Sequence, residues 1–376
     1  MKSLLKLTAV LAIGVWLVAG NTSPAAASAE EADNQSSQPE AVMQVADAYM
    51  AKGESLLRAG KPEEALPHFD KAIEQNPDSA IAYNYRAICH AMTKNLRQAL
   101  EDAETAVYID YYYTSAHLNL ASLFRSVGAL EDAIDQFEQL NRMDDEHFVK
   151  SSGFFSDWAQ LYMEAGNWDE ANRLLDKALE INDKNGDAYF LRGQLLETRD
   201  YNYQGAIEQY TKALEVAGEG TNTAKWLILK DRGFAHYILN ENAAALADIS
   251  AAMGILADYD GYVIRGAINM RLNDYGAALK DFEQAARMKP DQATPVHNMG
   301  LVYLNQQKYG KAMDMFKKAL KIDPEFALSH MNMAMAYREE GKLKNAMECV
   351  EKALELEPSN EAFLKYRDEI EDEMKN

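Results

Sequence analysis

The sequence predicts an all-α fold: a solenoid of nine helical hairpins closed by a capping helix. Three observations carry that prediction. The segment GKLKNAMECVEKALELEP ending at Pro358 repeats, thirty-four residues earlier, as QKYGKAMDMFKKALKIDP ending at Pro324, and again near the other end as GKPEEALPHFDKAIEQNP ending at Pro77. Apolar residues inside each copy recur at helical spacing, as in Ala312, Phe316 and Ala319 at i, i+4 and i+7. A fixed period of this length marks a stack of supersecondary units, none of which can bury its own apolar face alone.

The elements follow in chain order. Residues 1–29 read as a secretory signal: Lys2 and Lys6 precede an apolar run from Leu7 to Gly20, and small-x-small sites follow at Ala25–Ala27 and Ala27–Ala29. Fourteen apolar residues are short for a bilayer span, so cleavage is expected rather than stable membrane insertion. Cleavage removes Lys2 and Lys6 and no acid, moving the formal charge from −21 to −23. Residues 30–45 form a polar linker and the start of the first helix.

From residue 46 the period sets a register with small residues at the eighth, twentieth and twenty-seventh places and Pro at the thirty-second. Repeats begin at 46, 80, 114, 152, 186, 226, 259, 293 and 327, and end by 360. The eighth places are Gly53, Ala87, Ala121, Ala159, Gly193, Gly233, Gly266, Gly300 and Ala334. Small residues there let two helix axes approach while Phe or Tyr fills the space beside them. Pro77, Pro290, Pro324 and Pro358 stop second helices, and Gly128, Gly166 and Gly341 fall at turns that take a left-handed residue. Extra residues lie before Ser152, within repeat five and before Trp226. Residues 361–376, EAFLKYRDEIEDEMKN, form the cap, with Phe363, Tyr366, Ile370 and Met374 as its apolar stripe.

This pattern resembles the tetratricopeptide repeat family over 46–360. The resemblance implies antiparallel helix pairs stacked into a right-handed superhelix whose first helices line a concave groove. The composition restricts what that groove can hold. With 59 acidic against 38 basic residues, nucleic-acid binding is excluded as a class, because it relies on Lys and Arg neutralising phosphates. No nucleotide loop, GxSxG, HExxH or CxxC is present, so no enzyme and no cofactor is expected. Asp183–Asp187 imitates the start of a calcium loop but lacks its Gly and Glu. Asp144–His147 reads as a solvated loop, and Tyr108, Tyr111, Tyr112 and Tyr113 as fillers of a turn without Pro. Cys89 and Cys349, seven repeats apart, read as buried apolar residues rather than a disulfide. His90, His117, His236 and His330 take helix-packing places.

The family groove implies binding residues at defined places of the first helices. The fifth and sixth places supply Asn84, Tyr85, Asn119, Phe190, Lys230, His297, Asn298 and Asn332; the ninth supplies Phe234; the twelfth or thirteenth supply Arg125, Arg271 and Arg338. Asn offers donor and acceptor to an extended backbone, Arg a bidentate grip on a carboxylate, and Phe an apolar pocket. The family's carboxylate clamp wants Lys at the fifth place with Asn at the ninth; Lys230 has Phe234 there, which argues against that mode. The expectation is an exported, non-enzymatic scaffold, periplasmic or extracellular, holding a protein or peptide of unidentified kind in envelope assembly or secretion. The alternative is a self-associating structural protein of the envelope.

Overall fold

The computed structural model describes residues 37–143, 150–216 and 224–375, the side chains from residue 43 onward. The expected signal at 1–29 and the Asp144–His147 cluster lie outside the described residues, as does the segment before the sixth repeat. Nineteen α-helices, α1 to α19, are present among the described residues, and no strand. They form nine successive pairs, α1(Ser37–Arg58) with α2(Pro62–Gln75) through α17(Ala327–Glu339) with α18(Leu343–Leu356), followed by α19(Glu361–Lys375). The helices belong to two compact units, one up to Leu174 and one from Leu175, the division falling within α8(Trp168–Ile181).

Within each unit the hairpins are built as the register predicts. Ala65, Ala99, Ala133, Ala206, Ala245, Ala278, Ala312 and Ala346, all twentieth-place residues, have no exposed surface. The eighth place is a size trade with the twenty-fourth. A Cβ on Gly266 would stand 2.6 Å from the Phe282 ring, one on Gly193 2.5 Å from the Tyr210 ring, and one on Gly53 2.7 Å from the Phe69 ring. Where the eighth place is Ala87 or Ala334, the twenty-fourth shrinks to Ala103 or Val350, both fully buried. In repeats two and nine the methyl on the first helix is met by a smaller residue on the second, whereas repeat three holds Ala121 and Phe137 at the same two places, so the trade applies in some hairpins and not in all.

An ion pair the periodicity did not announce clamps several hairpins. Arg86 grips Asp102 through Nε at 2.8 Å and Nη2 at 2.7 Å; Arg232 and Asp248 do so at 2.7 and 2.8 Å, Arg265 and Asp281 at 3.0 and 2.6 Å. All three join the seventh place to the twenty-third, the bidentate geometry that suits a guanidinium.

The turn inside each hairpin carries one left-handed residue. It is the fifteenth of eight repeats, Gly60, Lys94, Gly128, Gly166, Asn240, Asn273, Gln307 and Gly341, and the sixteenth of repeat five, Tyr201, where the extra residue lies, with φ between 51° and 81°. The amide of Gly341 donates to the Arg338 carbonyl (2.8 Å) and that of Lys342 to the Tyr337 carbonyl (2.9 Å), closing the helix with a Schellman motif. The second helices stop before proline as expected: α2 at Gln75, α14(Tyr275–Met288) at Met288, α16(Tyr309–Ile322) at Ile322 and α18 at Leu356. Cys89 and Cys349 are free and buried.

Repeat nine is covered by α19, with Phe363 and Ile370 buried in its cluster and Tyr366 packed beside them. The expected stripe is one residue too long: Met374 is 45% exposed. The stripe needs the last turn to follow α18, and the packing ends at Ile370.

Candidate functional site: the inner wall of the first helices

First helices of successive repeats touch one another: α1 meets α3(Ala80–Met92) and α3 meets α5(Thr114–Ser126) in the first unit. In the second, the chain of contacts runs from α9(Gly186–Thr198) through α11(Lys225–Ile238), α13(Tyr259–Arg271) and α15(Thr294–Asn305) to α17. These helices form the wall on which the sequence placed its candidate residues, and the structure divides those residues by place.

The fifth place is a seam, not an open surface. Asn84 is 2% exposed, Phe190 5%, Lys230 6% and His297 4%. Each is spent on the neighbouring helix. Asn84 donates from Nδ2 to the Tyr113 hydroxyl (3.3 Å) and accepts from Asn119 Nδ2 (2.9 Å). Phe190 packs on Tyr210, centroids 5.8 Å apart. Lys230 donates to Asp258 at 3.0 Å and lies over the Trp226 ring at 4.8 Å. Asp258 also caps α13 by accepting from the Gly261 amide at 2.8 Å, so the lysine ties one repeat to the start of the next. His297 sits between Phe316 and Phe326, with Ser329 Oγ 2.8 Å from Nδ1 and Asn332 Nδ2 3.3 Å from Nε2. An amide donating to Nε2 fixes the proton on Nδ1, which donates to Ser329. Burial pushes this imidazole down to about 4, so it is neutral at pH 7.

The sixth place is half open. Tyr85, Asn119, Asn298 and Asn332 are all partly exposed. Tyr85 stacks on Phe69 with centroids 5.6 Å apart. Asn119 and Asn332 each reach back to the fifth place of the preceding repeat, to Asn84 and His297. The three arginines bridge along the wall. Arg125 Nε donates to Glu164 at 2.9 Å. Arg271 donates to the Tyr237 carbonyl at 2.5 Å and lies 3.6 Å over that ring. Arg338 Nε donates to Glu373 at 3.0 Å, Nη1 to Glu369 at 3.0 Å, and the guanidinium covers Tyr366, all on α19.

The ninth place looks outward. In the second unit it reads Gln194, Phe234, Ala267, Leu301 and Met335, with Met335 38% exposed and the others partly exposed. In the first it reads Glu54, Ile88, Ser122 and Gln160. Phe234 and Met335 among these are places where an apolar pocket is expected. Two acids also stand in this register. Glu197 Oε2 accepts from the Tyr210 hydroxyl (2.9 Å), and Asp231 Oδ2 accepts from Gln194 Nε2 (3.1 Å), joining repeat five to repeat six. Burial, then the Asp231 charge, pushes the Glu197 carboxyl up to about 7. Burial pushes Asp231 up to about 6 against the pull of Gln194 and Lys230. Glu197 and Asp231 occupy the twelfth and sixth places, so the register could have found them; their coupling crosses a repeat boundary and could not be read from it.

Among the described residues no group of three His, Cys, Asp or Glu is placed to hold a metal, and no helix is long and apolar enough to cross a membrane. Asp183–Lys184 falls in the turn before α9, where Asn182 Oδ1 accepts from the Lys184 amide. Asn185, next in that turn, caps α9 by accepting from the Ala188 amide.

Relatives agree with this architecture. The human mitochondrial import receptor subunit TOM70 is 25% identical over 262 residues, 67% of this chain and 42% of that protein. The mouse DnaJ homolog subfamily C member 3 is 23% identical over 244 residues, 65% of this chain and 43% of that protein. The chain therefore spans less than half the length of these curated relatives. A tetratricopeptide repeat protein from Parabacteroides merdae superposes with a TM-score of 0.53 at 20% identity, covering 69% of this chain and 99% of that one. Models described as tetratricopeptide repeat match residues 50–114, 156–221, 259–292, 297–326 and 327–360. With the models spanning most of the sequence and nine hairpins in the same register, the chain belongs to the tetratricopeptide repeat family.

Proposed function

We propose that this protein is an exported, non-enzymatic scaffold that holds a protein or peptide partner along its inner wall, in envelope assembly or secretion. The observation that carries the reading is the wall itself. Within each unit, first helices of successive repeats touch and their seam is closed by internal hydrogen bonds, while the sixth and ninth places stay open and differ in chemistry from repeat to repeat. A surface whose backbone is fixed and whose outward side chains vary is suited to recognising an extended partner. The relative named as a mitochondrial import receptor subunit supports a partner that is itself a protein. Export rests on the apolar run behind Lys2 and Lys6.

The test is capture from envelope extracts with the wild-type chain and with an Asn119→Ala, Asn298→Ala, Asn332→Ala triple variant, whose helicity is checked by circular dichroism. The triple variant is expected to lose partners; an unchanged partner set removes the wall as the binding surface. N-terminal sequencing of protein recovered from the envelope fraction should begin after residue 27 or 29, and an intact Met1 there contradicts processing.

The self-associating alternative is favoured by one observation. Tyr108 is 89% exposed, Tyr112 62% and Tyr111 48%, an open aromatic cluster at the end of α4(Leu96–Ile109). Aromatic side chains are the common anchors of protein interfaces. Light scattering of the mature chain and of Tyr108→Ser decides: a monomer in both cases rejects self-association.

A further inference from the structure

The open places of the wall are not equivalent along the chain. From repeat six onward the ninth places, with the sixth place of repeat seven between them, are Phe234, Ile264, Ala267, Leu301 and Met335, all apolar and none fully buried. They form a strip, recurring at equal places on the consecutively touching helices α11, α13, α15 and α17, with the half-open amides of Asn298 and Asn332, at the sixth places of repeats eight and nine, between Ala267, Leu301 and Met335. The Gln194–Asp231 bond shows how ninth and sixth places of neighbouring repeats meet; Phe234 and Ile264 hold the same two places one repeat on, and Ile264 also packs on the Ile249–Ile268 cluster. At the repeat-five end of the strip stand Glu197 and Asp231, whose observed donors are neutral, a phenol and an amide.

The cations of this wall are already engaged. Lys230 is buried on Asp258, Arg271 is held on Tyr237, and Arg338 is held by Glu369 and Glu373. Among the described residues neither Glu197 nor Asp231 forms an ion pair, although Lys230 lies close enough to pull on Asp231. The strip therefore ends in a carboxyl pair to which the described residues bring no ion-pair partner. A carboxylate pair in a half-buried setting gains most from a cation brought in by a ligand, because screening by water is reduced there.

We infer that the inner wall of repeats six to nine is the docking face for an extended peptide segment whose side chains are mainly apolar, whose backbone meets the Asn298 and Asn332 amides, and which carries a basic side chain at the end lying on Glu197 and Asp231. This deepens the proposed function and rests on its inner-wall reading. Apolar burial along the strip supplies affinity, and the acidic pair sets polarity and direction.

The experiment uses the mature full-length chain and fluorescence anisotropy with three labelled peptides: a Leu/Ala peptide led by Arg, the same peptide led by Glu, and a Ser/Gly peptide led by Arg. The Arg-led apolar peptide should bind at least about tenfold tighter than either of the others. Glu197→Gln with Asp231→Asn should erase the preference for Arg over Glu. Ala267→Lys and Met335→Lys, at partly exposed positions, should each weaken the Arg-led apolar peptide by about tenfold with unchanged helicity. Equal or tighter binding of the Glu-led peptide, or wild-type binding by both Lys variants, overturns the inference. If binding is instead lost in Asn119→Ala and kept in the Lys variants, this inference fails while the inner-wall reading stands. If none of the peptides binds and envelope capture is unchanged in the triple Asn variant, both fail.

Discussion

The two units use one hairpin to build two different inner walls. In the first unit, Asn84, Asn119 and Tyr113 form a hydrogen-bonded run, Arg125 bridges to Glu164, and the ninth places are mostly polar. In the second, the ninth places are mostly apolar and the polar groups have retreated to the seam, as His297 with Ser329 and Lys230 with Asp258. The packing places hardly differ between the units: the eighth, twentieth and twenty-seventh stay small, with Leu140 of repeat three the exception at the twenty-seventh. The difference teaches that stacking constrains mainly the seam and the hairpin interface. Outward places carry less of the packing, although Ile88, Ile264, Ala267 and Leu301 still rest on the core clusters, so their exposed faces can serve a partner.

The comparison assumes that the seam, not the outward places, holds each unit together, and the largest effects should fall there. Phe282→Ala empties the ring site beside Gly266 in repeat seven and is expected to cost about 3–5 kcal/mol. Gly266→Ala drives a Cβ into that ring and should cost about 1–3 kcal/mol. The same methyl is present in repeat two, where Ala87 faces Ala103, so Gly266→Ala combined with Phe282→Ala should recover part of the loss. Urea unfolding measures all three. Additive losses in the double variant would break the size-trade account.

A second set of predictions uses pH to separate buried polar groups of the second unit. Glu197 has its folded value raised to about 7, above the ordinary Glu value near 4.3. Its contribution is therefore present below about pH 4.3 and lost as pH rises through about 7. Glu197→Gln should stabilise the protein by roughly 1–3 kcal/mol at pH 8, with the gain vanishing below about pH 4.5. His297 runs the other way. Its folded value is depressed to about 4, so its contribution is present above about pH 6.5 and lost as pH falls toward 4. His297→Gln should flatten that acid limb. A wild-type stability profile flat from pH 4 to 8, unchanged in both variants, would contradict the burial of these groups.

Almost all of the fold was legible because stacking demands the same sizes at the same places, and sizes are written in the sequence. Gly300, Ala312, Phe316 and Ala319 announce a hairpin without any coordinates. The candidate site was legible only as a set of places. Lys230 and His297 were expected on an open groove and are closed, because the fifth place lies between first helices, a contact made by residues about 35 positions apart. Whether Asn119 meets a ligand or meets Asn84 depends on rotamers and burial, which periodicity does not encode. Met374 shows the same limit at the end of the chain: it keeps the stripe's spacing but has no neighbour to pack on.

The smallest expected effect tests whether the units also differ in the ease of their turns. Every hairpin turn has one left-handed residue, yet the first unit fills it with Gly60, Lys94, Gly128 and Gly166, while the second uses Tyr201, in the longer turn of repeat five, Asn240, Asn273, Gln307 and Gly341. A side chain in that region crowds its own backbone by about 1 kcal/mol or more, a cost that Asn bears best and Gly avoids. The unfolded chain of a glycine variant has more freedom, which returns part of the gain. Tyr201→Gly and Gln307→Gly are therefore each expected to stabilise the second unit by about 0.5–1 kcal/mol, Asn273→Gly by less. Gly128→Ala should destabilise the first by about 1 kcal/mol, since nothing within 4 Å of the added Cβ opposes it and only the backbone conformation is at stake. Thermal unfolding of the single variants reads these shifts. Equal small losses for glycine at Tyr201 and Gln307 would mean that their side chains contribute as much through contacts as the left-handed turn takes away, and the turns would then not distinguish the two units.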